Sequence, residues 1–176
     1  MAGAEHRAYV RWPDARLRAA ALPVDAVDDA ARALWDEMLR AMYAMPGIGL
    51  AAPQLGVGLR LAVLDASPTA DSPVRLANPV LLEISEETRV QAEGSPNLPG
   101  VWAEIRRPAE VRVRFLSETG EPSERSFEGP WAQSVQHQID HLEGRMFFDR
   151  LGPVKRQRLL EKARKLQRRS AREARG

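Results

Sequence analysis

The stretch QHQIDH sets His137 and His141 four positions apart, with Gln138 directly after the first. On a helix, positions i and i+4 lie on one face about a turn apart, so both imidazoles can aim at a common point. This is the spacing of H-E-x-x-H metal hydrolases, in which the histidines hold the metal and the glutamate takes a proton from metal-bound water. Here that glutamate position is Gln138. A carboxamide holds a water by hydrogen bonds but cannot take its proton near neutral pH. Two histidines also leave a metal site unfinished, because zinc takes three or four protein ligands. The sequence has no cysteine, which removes thiolate ligands, thiol nucleophiles and disulfides. Metal or catalytic chemistry therefore falls to His, carboxylate, hydroxyl or amide groups.

The elements that must position this pair are legible from patterning. Val27, Ala31, Leu34, Met38 and Met42 recur at helical spacing and predict an amphipathic helix over 24–45, closed by Pro46 and Gly47. The glycine-rich segment 47–58 reads as a loop leading into a strand at 59–65. Further strands are expected at 79–84, 88–93 and 110–116, with a weaker one at 123–128. Helices follow over 130–143 and from Pro153 into the tail, each with proline in the first turn, where a missing N–H costs least. The chain reads as one α+β domain over 1–176. Antiparallel sheets pack around a central histidine-bearing helix, flanked by an N-terminal helix and a basic C-terminal helix at about 153–175.

Composition bounds the setting. With 44% apolar and 28% charged residues in 176 positions, the chain is long enough for a substantial core. No apolar run approaches membrane-spanning length, and the opening residues lack the apolar core of a secretory signal, so a cytoplasmic protein without a membrane partner is expected. From Pro153 onward, 10 Lys and Arg face only Glu161 and Glu173. A basic tail on an acidic body points to a polyanion partner, and a solvated helix is the plainer alternative.

Three separated segments, in order, resemble the peptide deformylase family, metalloenzymes that remove the formyl group from the N-terminal methionine of nascent chains. GIGLAAPQ (47–54) is similar to the family's G-φ-G-φ-A-A-x-Q motif. EGSPNLPG (93–100) stands in the place of E-G-C-L-S-x-P-G, and QHQIDHLEGRMFFDRL (136–151) is similar to Q-H-E-x-D-H-L-x-G-x-L-F-x-D-R-L. The resemblance implies the deformylase fold, a peptide-binding loop containing Gly47 and Gly49, and a Gln54 that donates its amide to the formyl oxygen. It implies Fe2+ or Zn2+ held by His137 and His141. It also implies partners: nascent peptide N-termini, and the ribosome or its RNA docked by the C-terminal helix.

The departures fall on the chemistry. The family's cysteine ligand is Ser95 here, and a neutral hydroxyl is a far poorer metal ligand than a thiolate. The next backbone N–H helps hold the oxyanion in the family, but Pro96 has no N–H. Gln138 replaces the general base, Asn97 the motif's serine, and Trp102 a frequent arginine. The expectation is a deformylase-like protein that has lost normal deformylation and keeps a peptide cleft. One alternative is an active metallohydrolase that removes formyl groups with altered ligation from Glu93, Asp140 or Glu143. Another is a ribosome- or RNA-binding protein with a vestigial cleft.

Overall fold

A computed structural model describes residues 6–174. Helix α1 (Asp29–Ala44) begins five residues later than periodicity alone predicts. Its start is fixed chemically: the Asp28 carboxylate accepts from Ala31 N at 2.8 Å, an N-cap that satisfies one of the first-turn donors. The preceding segment is held instead by Asn78, whose side chain bonds both the N–H and the carbonyl of Val24. Leu34, Trp35, Met38 and Met42 form the buried face of α1.

The glycine-rich segment is not all loop. It holds a short strand, β1 (Gly49–Ala51), and a 3-10 turn, Ala52–Leu55. Five strands form one antiparallel sheet in the order β1-β2-β3-β6-β7, with β2 at Leu61–Leu64, β3 at Val74–Ile84, β6 at Glu110–Leu116 and β7 at Pro122–Glu128. A separate hairpin pairs β4 (Thr88–Ser95) with β5 (Leu98–Pro108). Strand β5 is absent from the sequence expectation for a physical reason. Its inward positions are Val101, Ala103, Ile105 and Arg107, while Trp102 faces out, so a buried charge and an exposed aromatic blur the alternation.

Helix α2 (Gly129–Leu142) lies at the centre and is buried almost throughout from Ala132 onward. Ala132, Val135, Ile139 and Leu142 pack on the large sheet beside Leu64, Val113 and Phe127. The opposite faces of α2 carry buried polar groups, and each of these needs a partner. Helix α3 (Pro153–Glu173) seals a third apolar cluster with Leu159 and Ala163, against Leu98, Ile105, Phe147 and Phe148 of β5 and a 3-10 turn. Val154 does not share in this packing and is exposed. Arg175, at the end of the expected basic helix, lies outside the described residues. No helix among the described residues is long and apolar enough to cross a membrane.

Candidate functional site

Helix α2, the β4–β5 hairpin and the segment leading into β1 enclose a cleft of about 380 Å³. Its lining brings together Gly47, Gly49, Gln54, Ser95, Pro96, His137 and Gln138, which are seven of the eight site residues expected from sequence. The eighth, His141, is 1% exposed directly behind His137. Their Nε2 atoms approach to 3.1 Å. Two nitrogens bound tetrahedrally to one zinc at 2.0–2.1 Å would be about 3.3 Å apart, so the pair converges as two ligands would.

His137 is aimed by a charged network that sequence reading reaches only in part. Its Nδ1–H donates to Glu93 Oε2 at 2.9 Å, leaving the Nε2 lone pair toward His141. Arg107 donates to both Glu93 oxygens, at 2.5 and 2.8 Å, and to Asp140 at 2.9 Å. Arg150 completes the chain with two bonds to Asp140, at 2.7 and 2.8 Å. Burial by itself would raise the Glu93 pKa, but the hydrogen bonds from Arg107 and His137 outweigh it and hold the carboxyl at about 2. Burial holds the His141 imidazole well below the usual histidine range, so it is neutral.

The remaining corner of a metal site does not fit zinc or ferrous iron. Ser95 Oγ, at the third-ligand position, donates to Asn97 Oδ1 at 3.1 Å and accepts from Asn97 N at 3.3 Å. His141 Nδ1 is buried without a partner. Among the described residues, no three His, Cys, Asp or Glu side chains form a group that could hold a metal. The carboxylates expected to substitute are spent or turned away. Glu93 and Asp140 are taken by arginines and by His137, and Glu143 pairs with Arg145 at 2.8 Å on the exposed side.

Pro96 and Asn97 are the two turn residues that join Ser95 of β4 to Leu98 of β5. Proline and asparagine suit such positions for their fixed φ and short polar side chain. Asn97 also acts as a buried hub. Its Nδ2 donates to Val10 O at 2.6 Å and to Gln54 O at 3.0 Å, and its Oδ1 accepts from Gln54 Nε2 at 2.9 Å. Gln54 Oε1 accepts from Ala51 N at 2.9 Å, so the amide expected to donate to a formyl oxygen has one N–H left for a ligand. Pro96 contributes a carbonyl, which accepts from Arg11 at 3.0 Å.

Gly49 lines the cleft and also packs closely on α2. The space beside its Cα holds the Ser134 hydroxyl and the Gln138 amide of the same chain, and a Cβ there would lie 2.6 Å from Gln138 Nε2. The glycine thus lets β1 close on α2. Among the described residues no strand lies beside the outer edge of β1 in the sheet order, and Gly49 and Leu50 of β1 line the cleft. Trp102 is 71% exposed at the rim, its indole lying over Gly94, where a Cβ would meet the ring at 2.6 Å.

The polypeptide deformylase family model matches residues 7–157. Among curated proteins, the peptide deformylase of Azotobacter vinelandii is 42% identical over 156 residues, covering 89% of this chain and 93% of that protein. Peptide deformylase 1 of Burkholderia multivorans is 43% identical over 159 residues, covering 90% and 88%. The crystal structure of a peptide deformylase from Legionella pneumophila superposes with a TM-score of 0.88 at 36% identity, over 96% of this chain and 99% of that one. A peptide deformylase from Ehrlichia chaffeensis, in complex with actinonin, gives 0.87 at 33% identity over 94% and 99%.

Proposed function

The chain belongs to the polypeptide deformylase family, and from that premise we propose that its cleft holds the N-terminal end of a peptide without hydrolysing it. One observation carries this reading: the corner facing His137 and His141 offers neither a third ligand nor a proton acceptor. Ser95 is committed to Asn97, Gln138 is an amide, and the nearby carboxylates are paired. Binding survives the loss of that chemistry because it uses other parts. The open edge of β1 can accept an extended backbone by strand addition, with main-chain bonds supplying affinity. Met42, Met45, Ile48 and Trp102 give the cleft apolar surface for side chains.

The test uses the native chain, purified and then incubated with Zn2+ or Fe2+, and a formyl-Met tripeptide. The expected result is saturable peptide binding, well under one metal per chain, and no formate release above background. Stoichiometric metal with turnover would overturn the reading.

A second reading, amide hydrolysis with altered ligation, draws on the 3.1 Å convergence of His137 and His141 and on relatives that carry the name peptide deformylase. It predicts metal uptake and formate release in the same assay, so one experiment separates the two.

Helix α3 supplies the partner in this proposal. Its inward face is spent on the third core cluster, while Lys155, Arg158, Lys162, Arg164, Lys165, Arg168 and Arg172 are exposed. We place the protein in the cytoplasm at the ribosome, where phosphate contacts from these cations would hold it close to emerging peptide ends. Co-sedimentation with ribosomes should fall steeply between roughly 50 and 200 mM salt. Substituting Arg158, Lys162, Lys165 and Arg172 by serine should abolish it, and unchanged pelleting by that variant would refute the docking surface.

A further inference from the structure

Beside helix α3 lies a second hollow, of about 400 Å³, that shares no lining residue with the cleft. Leu151, Pro153 and Leu160 give it an apolar floor. Arg156, Leu160 and Arg164 are spaced by four, so they share one face of α3, with the leucine between two cations. The two arginines are eight positions apart, about 12 Å along the helix. Arg164 is exposed and makes no ion pair among the described residues. Arg156 and Arg18 both turn to Asp149, so two guanidiniums share one carboxylate. A phosphate would meet the cations and gain nothing from the floor. A segment with carboxylates around an apolar side chain meets both.

Such a segment is displayed on the same chain. Ile84, the last residue of β3, is 61% exposed, with Glu83 before it and Glu86 and Glu87 after it. One exposed apolar side chain is ordinary and carries no argument alone. What sets this one apart is how firmly it is presented. Ser85 N donates to Glu110 O at 2.9 Å, and Ala109 N donates to Glu87 O at 2.8 Å, which ties the turn down on both sides of Glu86. Ser85 Oγ also donates to Glu87 O at 2.8 Å and accepts from Glu110 N at 3.0 Å. A turn already fixed loses little freedom on docking. It also keeps an excess of negative charge. Arg112 answers Glu83 at 2.8 Å and Arg89 lies 3.6 Å from Glu87, but Glu86 has no ion pair among the described residues. Glu110, beside the turn, stands directly opposite Glu128 in the ladder.

We propose that the 83–87 turn of one copy seats in the α3 hollow of a second copy. Ile84 rests on Leu151 and Leu160, and the carboxylates of the turn meet Arg156 and Arg164. From Glu83 to Glu86 the chain reaches at most about 10 Å, close to the spacing of the two arginines. The contact joins two different faces, so every copy offers one turn and one hollow. A second copy is favoured over an unrelated acidic partner because its turn is always present at the concentration of the hollow. The charge of the whole chain acts in the same direction. The tail from Pro153 carries +8 of a net +2, which leaves the first 152 residues at −6 and draws tail to body between copies. A contact of this size belongs to the weak, transient class, with a dissociation constant on the order of 100 μM. It rests on neither the peptide nor the ribosome reading.

Sedimentation of the full chain, freed of nucleic acid by nuclease treatment, tests the contact. The mean mass should climb above the monomer between about 10 and 500 μM in roughly 50 mM salt. Association should weaken at least about fivefold in roughly 500 mM salt, where the charges are screened. A turn variant, Ile84→Ser with Glu86→Ser, keeps its hollow, and a hollow variant, Arg164→Glu, keeps its turn. These positions are exposed, so both chains should melt as the native one does. Each variant alone should stay monomeric, while a 1:1 mixture retains one native contact and should form a heterodimer. A native chain that stays monomeric to about 500 μM overturns the proposal. So does self-association of either variant at native strength, or a mixture that does not pair.

Discussion

Substituting Ser95→Cys, Pro96→Leu and Gln138→Glu together should raise formate release from a formyl-Met peptide by at least about 10²-fold. Metal content should climb towards one per chain in the same variant. The expectation rests on what is already built. His137 and His141 converge at 3.1 Å, and the Glu93–Arg107 pair fixes the His137 ring, so a thiolate opposite them would complete a three-ligand set. A positioned general base is worth roughly 10²–10⁴ in rate. One oxyanion donor is worth roughly 10²–10³. The factors serve one mechanism and are not multiplied. Gln138→Glu by itself should do almost nothing, because a base without a bound, polarised water has nothing to deprotonate. Asn97 is left in place, since its amide ties Val10 and Gln54 to the hairpin and its removal would strand buried groups. A repaired chain that folds, binds metal stoichiometrically and stays silent would show that the three positions do not by themselves give turnover. Trp102, in place of a frequent arginine at the rim, would be the next position to change. Equal turnover by the native and repaired chains would end the binding-only proposal.

How far the sequence carries is seen best at α2. The spacing of His137 and His141 is enough to place both rings on one face, and Pro130 marks the first turn, within one residue of the observed start. The sequence does not disclose which face is wet. In the structure neither is, and the polar residues of α2 are almost all inside. Burial on both sides comes from tertiary contacts with the large sheet and with the β4–β5 hairpin, which no local pattern records. Arg107 shows the same limit. Read locally, IRRP suggests an exposed strand end, whereas the chain turns the second arginine inward to meet Glu93 and Asp140, which lie 14 and 33 positions away. Ser95 is legible as a hydroxyl where the family's motif has cysteine, but not as one hydrogen-bonded to Asn97. Those hydrogen bonds tie the hydroxyl to the turn that joins β4 to β5, and only geometry reveals them.

Arg107→Ala should destabilise the fold by about 3–5 kcal/mol, measured as the change in urea midpoint at constant slope. Arg107 is 3% exposed and bridges two buried carboxylates, Glu93 at 4% and Asp140 at 3%. Removing it strips Glu93 of both guanidinium bonds and leaves a carboxylate facing His137 alone. Asp140 keeps Arg150, so most of the cost falls on Glu93. A pair deleted whole behaves differently from a pair cut in half, because no uncompensated charge remains. The double variant Arg107→Met with Glu93→Gln should therefore lose clearly less than Arg107→Ala does. The pH dependence separates charge from packing. In the native chain Glu93 sits at about 2, below its unfolded value of roughly 4.3, so its contribution is full above that value and is lost as pH falls toward 2. In Arg107→Ala the sign reverses. The unpaired carboxylate resists ionisation, so its penalty is greatest near neutrality and relaxes as acid protonates it, narrowing the gap to the native chain between about pH 6 and 4. A loss under about 1 kcal/mol, or a gap that does not change with pH, would mean that water reaches Glu93 and that the network positions His137 without holding the fold together.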